Sequence, residues 1–259
     1  MESSIPESAN WMTLLSELFH GNPIVEFLHR WENVVFSCAV ILILCTVAVL
    51  ASRNAKVHPG GLQNLVESLI EGLDDFVCGI LGAAGRRFTP FIGTLFLYIL
   101  MMNLFGLVLP GMKSPTSSIN TTVALAASVF LYVQWTAVRE LGILGYADHL
   151  LGSPRNLVGF IMVPLMLPLH LLEELVRPLS LSLRLFGNIL GEDATIAALL
   201  GMGILVSNVF KIPVGVPFHL FFLPIALLLS VIQALVFSSL VAIYIALILA
   251  AHEEGHEAH

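Results

Sequence analysis

The sequence is short of charge. Of its 259 residues only 11% are Asp, Glu, Lys or Arg, while 57% are hydrophobic. A soluble domain carries roughly 25% charged residues, and so few charges cannot coat a sphere of this size with water-compatible side chains. That scarcity excludes an ordinary soluble globular protein, and a mean hydropathy of +0.92 excludes an intrinsically disordered one. Basic residues are the scarcer sign: 11 Lys and Arg against 18 Asp and Glu leave a net charge of -7, which removes the electrostatic basis for nucleic-acid binding. Cysteine is nearly absent. Cys38, Cys45 and Cys78 have no CxxC or Cys/His metal spacing and are expected to be buried small hydrophobes. No GxxxxGK[ST] loop is present to cradle nucleotide phosphates. The opening residues MESSIPESANW lack the basic and then apolar regions of a cleavable secretory signal.

What the sequence has instead is long apolar runs. About 20 such residues cross a bilayer as a helix. Residues 33–56 form the first, preceded by an extramembrane segment, 1–32, rich in Glu. Arg53 and Lys56 follow this first helix, so the positive-inside rule puts the N-terminus outside and residues 53–60 in the cytoplasm. Residues 61–85 differ. Leu62, Leu65, Leu69, Leu73, Phe76 and Val77 recur at helical spacing, with Glu67, Glu71, Asp74 and Asp75 opposite. This pattern predicts an amphipathic helix along the cytoplasmic interface, or one packed on a soluble partner. Residues 89–110 and 120–139 cross outward and back. Arg86, Arg87, Arg139 and Arg155 fall on the cytoplasmic side, and Lys113 alone lies in the outer loop. A short loop is expected around Gly145, Asp148, His149, Gly152, Pro154 and Arg155, and residues 251–259 read as a polar cytoplasmic tail.

Residues 156–250 hold two over-length segments joined by a turn at Lys211–Pro217. The stretch Leu171–Phe210 alone would be about 60 Å long as a helix, about twice the hydrocarbon thickness. It is therefore strongly tilted or broken, and Pro164, Pro168 and Pro178 are positions where a helix can break or kink. Two such segments in succession predict a tilted antiparallel hairpin. The fold class is thus an all-α membrane protein, a single integral domain over 1–259, with about five embedded helices and one interfacial helix.

Charges recur in this hairpin, where each costs at least ~2.5–3.5 kcal/mol at the centre of the membrane. On a helical wheel Glu174, Arg177, Arg184, Asn188 and Glu192 all fall within about 40° of His170. Glu174 and Glu192 lie to one side of it, Arg177 and Arg184 to the other, and Asn188 almost in line with it. They form one polar stripe; Asp193 falls on another face. Glu173 and Glu174 can neutralise Arg177 at i to i+4 and i to i+3. Arg184 has only Ser180, Leu181, Gly187 and Asn188 at those spacings, and arginine cannot shed its charge. Its counter-ion or water must come from elsewhere. On the final helix His219, Ser230, Gln233 and Tyr244 lie within about 60° of one another. Gln233 is either a helix-packing hydrogen bond or the lining of a water path.

The run RPLSLSLRLFGNILGED (Arg177–Asp193), then IQALVFSSLVAIYI (Ile232–Ile245), resembles the a subunit of the rotary F-type ATP synthase. PFIGTLFLYILMMNLFGLVLPG (Pro90–Gly111) and SPTSSINTTVALA (Ser114–Ala126) resemble that family's third and fourth helices. The resemblance implies a non-catalytic, proton-translocating subunit of a bacterial inner membrane complex, with c-ring and peripheral-stalk b subunits as partners and no cofactor. It implies that Arg184 is the arginine facing the c-ring, with Gln233 close to it. Asn188, Glu192, Asp193, Gln233 and His219 would line one aqueous half-channel, and His170, Glu173 and Glu174 the other. Three departures stand out: His170 where many bacterial members carry Glu, Ser118 where others carry Asp, and Ala226 where a partner of the Asp193 position is usual. A stand-alone secondary transporter is the competing class, although no inverted repeat is apparent. A purely structural membrane subunit is the third reading, and Arg184 weakens it.

Overall fold

The computed structural model describes residues 27, 31–53, 60–108, 114–151, 157–210 and 217–257. Among them all regular structure is helical: α1 (Glu32–Ser52), α2 (Gly61–Leu81), α3 (Thr89–Val108), α4 (Ile119–Leu150), α5 (Leu157–Phe210) and α6 (His219–Glu257). Short 3-10 turns occupy Gly82–Arg87 and Pro115–Ser117. Five stretches are long and apolar enough to cross a membrane: Glu32–Ser52, Thr89–Leu107, Ile119–Asp148, Met162–Ser207 and His219–Ala250. With the amphipathic α2 they make an all-α membrane protein. Most of the expected extramembrane segment 1–32, the expected outer loop at Lys113, the residues Gly152–Arg155 and most of the expected Lys211–Pro217 turn lie outside the described residues.

Two features differ from the sequence expectation. Helix α4 continues to Leu150, through Gly145 and Asp148, where a loop was expected. The reason is Gly142, whose φ of 73° and ψ of 166° let the chain turn sharply and then resume helix. Cys38 and Cys45 are exposed rather than buried. Only Phe36, Val40 and Ala51 of α1 are buried, so most of that helix depends on apolar surroundings outside the chain. Helix α5 runs unbroken over 54 residues with Pro164, Pro168 and Pro178 inside it. At 1.5 Å per residue a straight helix of that length reaches about 80 Å, far beyond a ~30 Å hydrocarbon core.

The chain divides into two compact units. The first comprises Met1–Val66, Phe96–Thr121 and Leu185–Leu235. Here Phe36 and Val40 of α1 pack with Met102 and Phe105 of α3, the two phenyl rings 5.7 Å apart. The turn after α3 is bonded back onto it. Ser114 Oγ donates to the Met102 carbonyl at 2.9 Å and Thr116 Oγ1 to Asn103 Oδ1 at 3.0 Å, all within buried surroundings. This close return needs Gly106, where a Cβ would come within 2.8 Å of the Ser114 nitrogen.

The second unit comprises Glu67–Leu95, Thr122–Arg184 and Val236–His259. Its amphipathic portion of α2 buries Leu73 and Val77 and leaves Glu67, Glu71 and Asp75 exposed. Asp74 accepts a hydrogen bond from Thr89 Oγ1 at 2.7 Å and meets Arg86 Nε at 3.3 Å, joining α2 to the start of α3. Since Arg86 is exposed, its ion pair contributes roughly 0–1 kcal/mol, and the bond from the buried Thr89 is the firmer restraint. Desolvation and the Asp74 carboxylate push the Cys78 thiol up from its ordinary range. Arg87 pairs with Glu140 of α4 at 3.0 Å, and Phe91 stacks on Tyr132 with centroids 3.6 Å apart.

Gly106→Ala should lower the thermal midpoint of the detergent-solubilised protein, since overpacking costs typically about 1–3 kcal/mol. Gly72→Ala, in open space on α2, should leave the midpoint unchanged or raise it. Equal midpoints for Gly106→Ala and the parent protein would mean the turn is not held as described.

Candidate functional site

Helix α5 turns Leu181, Ser182, Leu185, Ile189 and Glu192 inward, a spacing of three and four residues that buries one stripe. Arg184, Gly187, Asn188, Gly191 and Asp193 are exposed. Arg184 has no hydrogen bond or ion pair among the described residues. The polar stripe read from the sequence is therefore divided lengthwise. Its edge at Glu174 and Glu192 is turned towards the protein, and its edge at Arg184 is turned outward. The wheel positions explain this, because about 80° separates Glu192 from Arg184.

In the second unit the stripe borders a cavity of about 260 Å³, lined among others by Gln134, Tyr146, His170, Glu173, Glu174, Arg177 and Tyr244. Arg177 pairs with Glu173 at 2.5 Å, and its guanidinium lies 5.1 Å from the centroid of the Tyr244 ring. Such stacking offsets part of the cost of an arginine in apolar surroundings. Glu174 does not join this pair. It accepts a hydrogen bond from Gln134 Nε2 at 3.0 Å and lies 3.0 and 3.1 Å from the Tyr146 hydroxyl through its two oxygens. His170 Nδ1 stands 3.1 Å from the Leu150 carbonyl. The ladder of two acids on Arg177 is thus corrected to one acid, because a second helix captures the other. Sequence reasoning passed over Gln134 and Tyr146. An uncharged polar side chain in an apolar run was the available signal for Gln134, and Tyr146 was hidden in the expected loop.

In the first unit Asn188 Nδ2 donates to Gln233 Oε1 at 2.5 Å, joining the two polar stripes through one bond. Gln233 is buried, and its Nε2 has no partner among the described residues. The same holds for Ser230 Oγ and His219 Nδ1. Buried polar atoms are ordinarily hydrogen-bonded to protein or water, so three such atoms mark this face of α6 as polar. Glu192 is buried while its neighbour Asp193 is exposed. Ala226, where the departure from the family pattern falls, is fully buried. Among the described residues no His, Cys, Asp and Glu group has the arrangement of a metal site.

Residues 34–246 match the family described as ATP synthase A chain. The chain is also 42% identical over 257 residues to ATP synthase subunit a of Protochlamydia amoebophila, covering 99% of this chain and 94% of that protein. The chain belongs to the ATP synthase subunit a family. It is 37% identical over 247 residues to subunit a of Nitratidesulfovibrio vulgaris (strain DP4), with 95% and 97% of the two chains covered. Subunit a of Moorella thermoacetica is 36% identical over 230 residues, 89% and 94% of the respective lengths. The five apolar helices make this family member a multi-pass membrane protein.

The bond between Asn188 and Gln233 is open to a double-mutant cycle. Asn188→Ala and Gln233→Ala should each lower stability in detergent, the first by about 1–3 kcal/mol because it strands a buried acceptor. The double variant should cost measurably less than the sum of the singles. Strict additivity would show that the two side chains do not interact.

Proposed function

We propose that the chain is the proton-conducting stator subunit of an F-type ATP synthase, coupling proton flow across the membrane to rotation of a c-ring and so to ATP synthesis. The observation that carries this reading is Arg184: a permanent cation, exposed on an apolar helix, with no partner among the described residues. A carboxylate on a neighbouring ring of helices supplies the missing counter-charge. Facing lipid, each ring carboxyl is held protonated, since removing a charge from water is costly. Beside Arg184 the ionised form is favoured, and the proton leaves into an aqueous half-channel. The fixed cation also blocks direct passage between two half-channels, so protons cross only as the ring turns. Each charge crossing gains about 2.3 kcal/mol per 100 mV, which drives the rotation.

Asn188, Glu192, Asp193, Gln233 and His219 line the half-channel from the outside in this reading. The buried polar atoms of Gln233, Ser230 and His219 support it. His170, Glu173 and Glu174 line the cytoplasmic path, supported by their shared cavity. His170 then takes the place of a carboxylate, and His219 or Glu192 compensates for Ala226. The lengths of α5 and α6, 54 and 39 residues, support a tilted hairpin lying against the ring. The chain itself is non-catalytic. Its partners are the c-ring and peripheral-stalk b subunits, in a bacterial plasma membrane with the N-terminus outside and the C-terminus cytoplasmic.

Arg184→Ala should abolish coupled ATP synthesis in membrane vesicles while the complex still assembles. Near-normal ATP-driven proton pumping in that variant would sink the assignment. Asp193→Asn should slow passive proton conduction, and an unchanged rate would remove that residue from the path.

A further inference from the structure

Of the polar side chains in the cavity that the proposed proton path leaves without a role, Gln134 and Tyr146 touch Glu174. Tyr146 reaches it by an unusual route. Along a straight helix, residues 134 and 146 would stand about 18 Å apart. Yet Tyr146 Oη lies 2.7 Å from Gln134 Oε1. The chain doubles back at Gly142, whose φ of 73° is a conformation that L side chains rarely adopt. That reversal folds the end of α4 over its own middle and delivers the phenol to the carboxylate.

We propose that Tyr146 and Gln134 are positioning residues that hold Glu174 as a proton-accepting station in this cavity, a proposal that rests on the proton-conducting reading above. The hydroxyl has one hydrogen and two kinds of acceptor, Gln134 Oε1 at 2.7 Å and the Glu174 oxygens at 3.0 and 3.1 Å. When Glu174 is ionised, the phenol O–H and Gln134 Nε2 both donate to it. When Glu174 takes up a proton, its new O–H donates to Tyr146 Oη, and the phenol hydrogen swings to Gln134 Oε1. No tyrosine O–H bond breaks. The carboxyl stays in place and keeps hydrogen-bond partners in both states. A carboxylate held this way avoids collapse onto Arg177, which Glu173 already occupies at 2.5 Å. The other titratable or charged groups lining the cavity are His170, Glu173 and Arg177 on α5 and Tyr244 on α6.

The test uses membrane vesicles that hold the assembled membrane sector, with the catalytic sector stripped away, and measures passive proton conduction against pH. A hydrogen bond to an ionised group is worth about a tenfold change in an equilibrium, equivalent to about one pH unit. Tyr146→Phe should therefore conduct several-fold more slowly at the parent's optimum, with its profile moved about one unit to higher pH. A parental rate and profile would overturn the proposal, and so would a slower rate with an unmoved profile, which marks a merely structural residue. If Tyr146→Phe does not assemble, the same two readings on Gln134→Met decide, and failure of both to assemble overturns the proposal. Arg184→Ala in membrane vesicles that keep the catalytic sector separates the two inferences. Coupled synthesis in Arg184→Ala rejects the function itself, whereas uncoupling there alongside an unmoved Tyr146→Phe rejects only the role of Tyr146.

Discussion

A guanidinium that cannot deprotonate sits on a leucine-rich, otherwise mostly apolar helix, and this conflict organises the molecule. Placing such a charge in hydrocarbon costs at least ~2.5–3.5 kcal/mol, and Arg184 has no described neighbour that offsets it. The cost is tolerable only if the outward face of α5 meets a partner or water. The residues around Arg184 suit that requirement: Gly187 and Gly191 are exposed and have nothing near their Cα atoms, so another surface can approach closely. Leu181, Leu185 and Ile189 are buried along a stripe centred about 100° round the helix from Arg184.

The remaining polarity in α5 is handled differently, residue by residue. Arg177 is neutralised locally by Glu173 and covered by Tyr244. Glu174 is satisfied by neutral groups from α4, and Asn188 by Gln233 of α6. Neutral partners leave a carboxyl able to exist in either protonation state, whereas a cation would fix it as ionised. Adjacent acids of the same chemistry are thus given different partners by their neighbours.

Much of this was legible beforehand. The five apolar stretches and the amphipathic α2 follow from hydropathy and from a 3.6-residue period, and the stripe from His170 to Glu192 follows from the same period. The family was also legible, because the run around Arg184 is highly specific. Three features were not. Gly142 falls between the expected helix end at residue 139 and the expected loop, and nothing local announces a reversal followed by more helix. Cys38 and Cys45 look like core residues, because composition does not say whether an apolar face meets protein or lipid. Glu174 at i−3 from Arg177 looks like its ion-pair partner, and only the competing donors on α4 reveal otherwise.

The sequence by itself determined that this is an all-α membrane protein and which face of α5 carries polar groups. Those properties depend on chemistry repeated along a single helix, and a helix is a local structure. Tertiary structure alone decided which edge of that face is buried, which acid pairs with Arg177, and that Tyr146 reaches Glu174. These depend on contacts between residues 12 to 45 positions apart, set by one reversed glycine and by packing between helices, which no period along the chain encodes.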